Sequence, residues 1–389
     1  MLSTNQFAAT VVDLPNLDDS ISKAVDQISA QLNGPIDLLF AFFSEHEPEF
    51  IDQFTPALQN HTGASNVVGC SAESVIGLGK EFEARPAVSL WAASLPNDSI
   101  DCIHLEYERS PDGGVITGWP DEFENGWRDN SNLIMIGDPF SFPVDVLLDR
   151  FNEDRPGVNI IGGMCSGADI PGQARLLLNG ETHSSGAIAI RITGDSMQAP
   201  VVSQGCRPIG ESFVVTSAEQ NVIKQLGGEP ALKQLKKIFR ELPARDQRMI
   251  ESGLHIGRVI NEYQDKFQYG DFLIRNVVGF DQEEHTIAIG DYVRPGQTVQ
   301  FHIRDHQSAD VEMNQLLNDK KDLQPAAALI FSCNGRGLRL FPDPHHDAST
   351  VESAFGAIPN AGFFAAGEIG PVGGQNFVHG FTASVALFK

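Results

Sequence analysis

The sequence predicts an α/β protein of two domains, with mixed sheets flanked by helices, built partly from three strand–helix–strand–loop–strand repeats. Three observations predict it. One order of segments is written three times along the 389 residues. Continuous apolar runs, expected of strands covered on both faces, stand beside alternating runs, expected of half-exposed strands. The chain also changes character between the second and third copies, which divides it into domains of 1–228 and 229–389, each long enough for its own core.

In the first copy Asp37–Ser44 is an apolar strand, Asn66–Ser71 a second that breaks into a small polar loop, and Ala87–Trp91 a third. The second copy runs Asn132–Asp138, Asn159–Ser166 and Gly186–Ile190, and the third Ala327–Ser332, Ala361–Glu368 and Gly380–Leu387. The pattern sets Gly-rich loops at strand ends, where a small ligand approaches the backbone most closely. Gly69 and Gly162 are candidates for such contact.

Helices are expected where apolar residues fall at helical spacing: over 18–32, with Ile21, Ala24, Val25 and Ile28, and over 49–58 and 140–151. The stretch 111–132, dense in Gly, Pro, Asp and Asn, reads as a loop whose Trp119, Phe123 and Trp127 cover a neighbouring surface. Two helices are expected over 216–226 and 229–240, interrupted by Gly227-Gly228. Strands are expected at 258–260, 271–278, 286–289 and, after the Pro295-Gly296 turn, 297–303, and a helix over 309–323.

A net charge of −24 argues against nucleic acid or an anionic membrane as partner, since such surfaces repel an acidic protein. The five cysteines are odd in number, spread out and without a CxxC pair, which fits a reducing cytoplasm rather than a disulfide framework or zinc cluster. The first residues lack a basic region and a long apolar core, so no signal peptide is expected, and the longest apolar runs are far short of a membrane span.

Leu329–Gly337, Gly362–Pro371 and His379–Ser384 together resemble the C-terminal half of the FIST family. Val67–Ser71, Ile161–Gly163, Gln204–Gly210 and Gly270–Arg275 are similar to other parts of it, and the resemblance runs through nearly the whole chain after about residue 35. It implies a FIST N-type domain over 1–228 and a FIST C-type domain over 229–389, forming a sensory module that binds a small ligand, an amino acid or another small carboxylate, in intracellular signalling. Some members resemble haem-based nitric oxide sensors, and members often carry a fused kinase or cyclase. No such output domain and no F-box is visible here, so a separate signalling partner is expected.

The residues that would carry recognition lie in the third copy. Arg336 stands between Gly335 and Gly337, where a guanidinium grips a carboxylate bidentately while the glycines open the backbone; the alternative is a structural carboxylate that pins the loop. Glu368 would receive an ammonium group, or else serve as the partner that a buried Arg336 requires. Asn334 completes the expected contacts. A second function is a thiol-dependent hydrolase or transferase with Cys333 as nucleophile and His379 as base, although a small buried cysteine is a common core residue. A third is a haem-based gas sensor; there is no C-x-x-C-H, His302 and His306 straddle a strand-to-helix change, and His345-His346-Asp347 reads as an exposed loop and helix start. No Walker or dinucleotide glycine motif is present, and no cofactor or metal is expected.

Overall fold

A computed structural model describes residues 4–12, 17–44, 47–110, 113–121, 125, 127–198, 200–263, 267 and 271–389. The first three residues, Phe123 and Gly270, named above, lie outside the described residues. The chain begins with β1 (Gln6–Val12), α1 (Leu17–Ser29), β2 (Leu38–Ser44), α2 (Pro48–Thr62), β3 (Val67–Ala72), β4 (Val75–Gly77), β5 (Lys80–Phe82) and β6 (Ala87–Ser94). It continues with β7 (Ser99–Ser110), β8 (Gly113–Thr117), β9 (Ser131–Gly137), α3 (Val144–Asp154), β10 (Ile160–Met164), β11 (Leu176–Leu178), β12 (Glu181–His183), β13 (Ala187–Thr193) and β14 (Val201–Ser203). Next come β15 (Cys206–Glu219), β16 (Val222–Leu226), β17 (Glu229–Pro230), α4 (Ala231–Glu241), α5 (Ala244–Ser252), β18 (Leu254–Val259), β19 (Phe272–Asp281), β20 (Thr286–Ile289), β21 (Thr298–Arg304) and α6 (His306–Asn318). The last elements are β22 (Ala327–Cys333), α7 (His346–Phe355), β23 (Asn360–Ala365), β24 (Glu368–Val372), β25 (Gln375–His379) and β26 (Ala383–Phe388).

Two compact units result, one of residues 1–202 with 314–389 and one of 203–313. Residues 228 and 229 both fall in the second unit, at the turn from β16 into β17.

In the first unit one pairing scheme occurs three times. β2 runs parallel to β3 and antiparallel to β6, β9 parallel to β10 and antiparallel to β13, and β22 parallel to β23 and antiparallel to β26. The hairpins that follow the parallel pairs are exchanged. β4–β5 joins β23, β11–β12 joins β3, and β24–β25 joins β10, so each sheet is completed by a hairpin from another.

The continuous apolar runs are explained by burial on both faces. Leu38, Phe40 and Phe42 of β2 share a central core with Ile134 and Ile136 of β9 and Leu329 and Phe331 of β22. Leu39, Ala41 and Phe43 turn the other way, onto Ile21, Ala24 and Ile28 of α1 and Ile51, Phe54 and Leu58 of α2. In β9, Leu133 and Met135 likewise meet Leu147, Leu148 and Phe151 of α3.

The second unit is antiparallel throughout. Its sheet runs β15-β21-β18-β19-β20-β16-β17, and the additional pairing of β15 with β16 closes it. The 14-residue β15 does this by pairing with β21 along its first part and with β16 at its end, with bulges between. Val299, Phe301 and Ile303 alternate into its core against Leu232, Leu235 and Ile238 of α4.

Three expectations differ from the structure. Residues 216–226 form no helix: they are the end of β15 and the whole of β16, turning at Gln220 with φ 53°. Val214, Val215, Thr216, Val222 and Ile223 are β-branched and favour extended backbone, which outweighs a helical spacing of apolar residues. The stretch 111–132 is not loop alone, because β8 lies inside it. Asp347 is buried, not exposed, at the start of α7.

Candidate functional site

β22 ends at Cys333, and Asn334-Gly335-Arg336 turns the chain into a single 3-10 turn at Gly337–Arg339. Asn334 and Gly335 are half-buried, while Cys333, Arg336 and Gly337 are buried. The Asn334 N–H donates to Ala365 O at the end of the neighbouring β23, at 2.9 Å. Gly335 has to be small: a Cβ there would lie 2.6 Å from the Phe381 ring. Gly337 has φ 52°, and a Cβ on it would meet the Glu83 carboxylate.

Arg336 is fully buried, and its Nε and Nη2 each donate at 2.7 Å to Asp347, in the first turn of α7. Nη1 donates to Phe381 O at 3.4 Å, and the guanidinium lies over Phe341. Asp347 also accepts from Ser332 Oγ at 2.5 Å and faces His346 Nδ1 at 2.8 Å. Burial alone would raise the Asp347 pKa; the Arg336 charge outweighs it and holds the carboxyl well below the usual carboxylate range. The structural carboxylate weighed for Arg336 in the sequence is therefore Asp347, and a ligand carboxylate would have to displace it.

Three more carboxylates reach this loop from the first sequence repeat. Glu81 Oε1 accepts from the N–H groups of Asp347 and Ala348 at the N-terminus of α7, at 2.9 and 3.2 Å. Burial, and then the nearby Asp347 charge, push its pKa up to about 8. Glu83 accepts from Leu338 N–H at 3.1 Å, and burial raises its pKa. Glu73 pairs with Arg339. Nothing in the sequence marks these partners, since β5, which carries Glu81, is three residues long and lies 266 residues from Asp347.

Glu368 opens β24, is fully buried and accepts from Thr382 N–H at 2.9 Å. The register shows what is unusual about it. Leu177 stands opposite Gly69, Ile369 opposite Gly162 and Ile76 opposite Gly362, so Leu176, Glu368 and Val75 hold corresponding places in the three exchanged hairpins. Val75 and Leu176 belong to the central core, whereas the third copy places a carboxylate there. Burial, and then the Glu368 charge, push the Cys333 thiol up to about 12. The thiolate is the nucleophilic form, and it is scarce at neutral pH for such a group. His379, the expected base, places Nε2 against Gly370 O at 2.9 Å.

Gly69 and Gly162 lie within β3 and β10, buried. A Cβ would fall 1.8 Å from Ala41 O at Gly69 and 1.9 Å from Met135 O at Gly162; Gly362 repeats this at 1.8 Å from Ile330 O. These three glycines let the parallel strands approach closely beneath the loops. His302 is buried in β21 and His306 starts α6. Among the described residues no group of three or more His, Cys, Asp and Glu side chains is placed to hold a metal ion.

The fold and this loop define an α/β protein with a buried, charged site at the C-terminal ends of one parallel strand pair. The chain belongs to the FIST family: the FIST N domain matches residues 37–229 and the FIST C domain residues 231–371. FIST domains are associated with sensing in signal transduction. Among similar proteins are Rv0628c of Mycobacterium tuberculosis, an uncharacterised protein 40% identical over 347 residues, 88% of each chain, and Mb0898c of Mycobacterium bovis, also uncharacterised, 40% identical over 325 residues, 83% of this chain and 82% of its own. Among the described residues no helix is long and apolar enough to cross a membrane.

Proposed function

We propose that this chain is a small-ligand-binding sensory protein of intracellular, cytoplasmic signal transduction, with an amino acid or another small carboxylate as its ligand and a separate protein as its output. The observation that carries the reading is Glu368, an ionisable group in a place where the two corresponding hairpins bury Val75 and Leu176. Buried carboxylates are costly and are found where they have a partner or a task. The C-terminal ends of parallel strands are also where ligands of α/β sheets commonly enter.

In this reading Asn334 and Gly335, the half-exposed members, meet the ligand, with Glu368 and Cys333 beneath them. Arg336, Gly337 and Asp347 hold the loop in shape. Gly69 and Gly162 contribute by bringing strands together under the corresponding loops. The sequence domains 1–228 and 229–389 are retained as the FIST N-type and C-type parts.

The test is a thermal-shift screen of the protein against amino acids and small carboxylates, with an absorption spectrum of the same sample. A ligand that binds only the folded state raises the melting temperature by mass action. The expected result is a stabilising compound whose effect is lost in Asn334→Ala and Glu368→Gln, both folded. A screen without any stabilising compound overturns the reading, and a Soret band would replace it with a haem-based one.

A further inference from the structure

A groove of about 620 Å³ lies away from the Cys333 loop, between β8 and α3 of the first unit. Its floor is aromatic: Trp119 and Trp127 both pack on Phe151, with ring centroids 6.1 and 5.3 Å apart. Its two walls carry exposed apolar side chains, Val115 of β8 at 56% and Val146 of α3 at 52%. Single exposed apolar residues are ordinary, but two that border one groove over an aromatic floor mark a candidate contact site.

Three consecutive residues of β8 line the groove, Gly114, Val115 and Ile116. Successive side chains of a strand point to opposite faces, so three in a row can border one groove only where it runs along the edge of the strand. β8 is the last strand of its sheet, and among the described residues nothing pairs with its outer edge. An open edge presents a row of backbone N–H and C=O groups to an incoming strand. Among the described residues the groove therefore combines an unpaired strand edge with a helix wall and an aromatic floor, which is the geometry of strand addition.

Charge selects the occupant. Asp149, Glu153 and Asp154 rim the helix side, against Arg150 and Arg155. Arg150 pairs with Asp154, and Arg155 lies over Trp127. The whole chain carries −24. The lining is itself nearly balanced, so the charge of the whole chain decides: a second copy, added edge to edge through a twofold axis, would bring two strongly acidic molecules together. A basic extended segment meets no such cost.

We propose that the edge of β8 and the groove beside it bind an extended peptide segment of a partner protein, with apolar side chains alternating with lysine or arginine. The segment adds a strand to β8, sets its apolar side chains between Val146 and the Trp119–Trp127 floor, and directs its cations to the rim of α3 at Glu153.

The experiment measures fluorescence anisotropy of a labelled short peptide alternating lysine with valine, titrated with the full chain. The control peptide has the same composition, with alternate backbone amides N-methylated so that it cannot pair with an edge. Saturable binding of the first peptide is expected, weakened about tenfold or more by Glu153→Lys and by Val146→Asp, with the control bound no better than the weakest variant. Both substitutions lie at exposed positions of α3, and an unchanged melting temperature checks that they leave the fold intact. Absence of saturable binding overturns the proposal. So does equal binding of the N-methylated control, which would reduce the contact to charge alone. A dimer in sedimentation that Val146→Asp dissolves would assign the groove to a second copy and overturn it too.

Discussion

Arg336 and Asp347 form a fully buried, two-pronged ion pair, each hydrogen bond 2.7 Å long, that ties the loop after β22 to the first turn of α7. Two neighbouring charges are thereby joined into one neutral support. Glu81, on the exchanged hairpin β4–β5, caps the same turn from the other side. The loop that carries Asn334 and Gly335 is thus held by α7 and by a hairpin of its own sheet that comes from the first sequence repeat.

Removal of either member of the pair leaves the other buried without its counter-charge. Arg336→Ala and Asp347→Asn are each expected to lower stability by about 3–5 kcal/mol. Denaturant unfolding measures this, and an unchanged midpoint for Arg336→Ala would return that side chain to the list of ligand contacts. The depressed Asp347 pKa also has a direction with pH. Its contribution is present above the unfolded carboxylate range and is lost as pH falls toward the folded value, so Asp347→Asn removes part of the acid limb of the stability curve.

Glu81 has the opposite sign. Its folded pKa of about 8 lies above the ordinary glutamate value of 4.5, so the folded protein binds the extra proton. Stability from this group is complete below the unfolded value, declines as pH rises from there to about 8, and is level beyond. Glu81→Gln keeps the acceptor for the α7 N–H groups and removes the charge. It is expected to be more stable than the parent at pH 9, by an amount on the order of a few kcal/mol, and nearly equal at pH 4. Parallel stability curves for the two proteins across this range would show that Glu81 is ordinary.

The Cys333 thiol is expected to react slowly with iodoacetamide in the native state. Burial is the larger cause and the Glu368 charge the next, so Glu368→Gln is expected to speed alkylation at fixed pH, by about tenfold for each unit that the thiol pKa falls. Mass spectrometry of the modified peptide follows the rate at this one cysteine. An unaltered rate in Glu368→Gln would separate the two groups electrostatically.

Gly362→Ala is expected to be destabilising by about 3 kcal/mol or more, because the new Cβ would fall on Ile330 O of the parallel partner strand. Gly69→Ala and Gly162→Ala are expected to act alike, since both meet the same obstacle at the same place in their own sheets. Thermal unfolding of the three variants checks this. A mild effect at one of the three would mean that its strand pair can part locally.

Much of the fold was legible because its signals are local. The runs at 38–43, 133–136 and 327–331 read as strands because burial on both faces leaves no polar alternation, and α1 and α2 read as helices because one face only is apolar. The Asn334-Gly335-Arg336-Gly337 string was visible as a loop at a strand end, and α7 as a helix beginning near Asp347. The segment 216–226 misled because short apolar stretches carry both periods, and the choice fell to pairing with β20 and the rest of β15.

The sequence by itself determined where the paired strands of the three repeats, helices α1 and α2 and the glycine turns beside them stand, since those depend on side-chain shape and on neighbours a few residues away. Tertiary structure alone decided which hairpin completes which sheet, that Arg336 would meet Asp347 rather than Glu368, and that Glu81 would cap α7 from a strand 266 residues distant. A buried charge takes the partner that the packing brings within hydrogen-bond reach, and that distance is set by the closure of the whole chain.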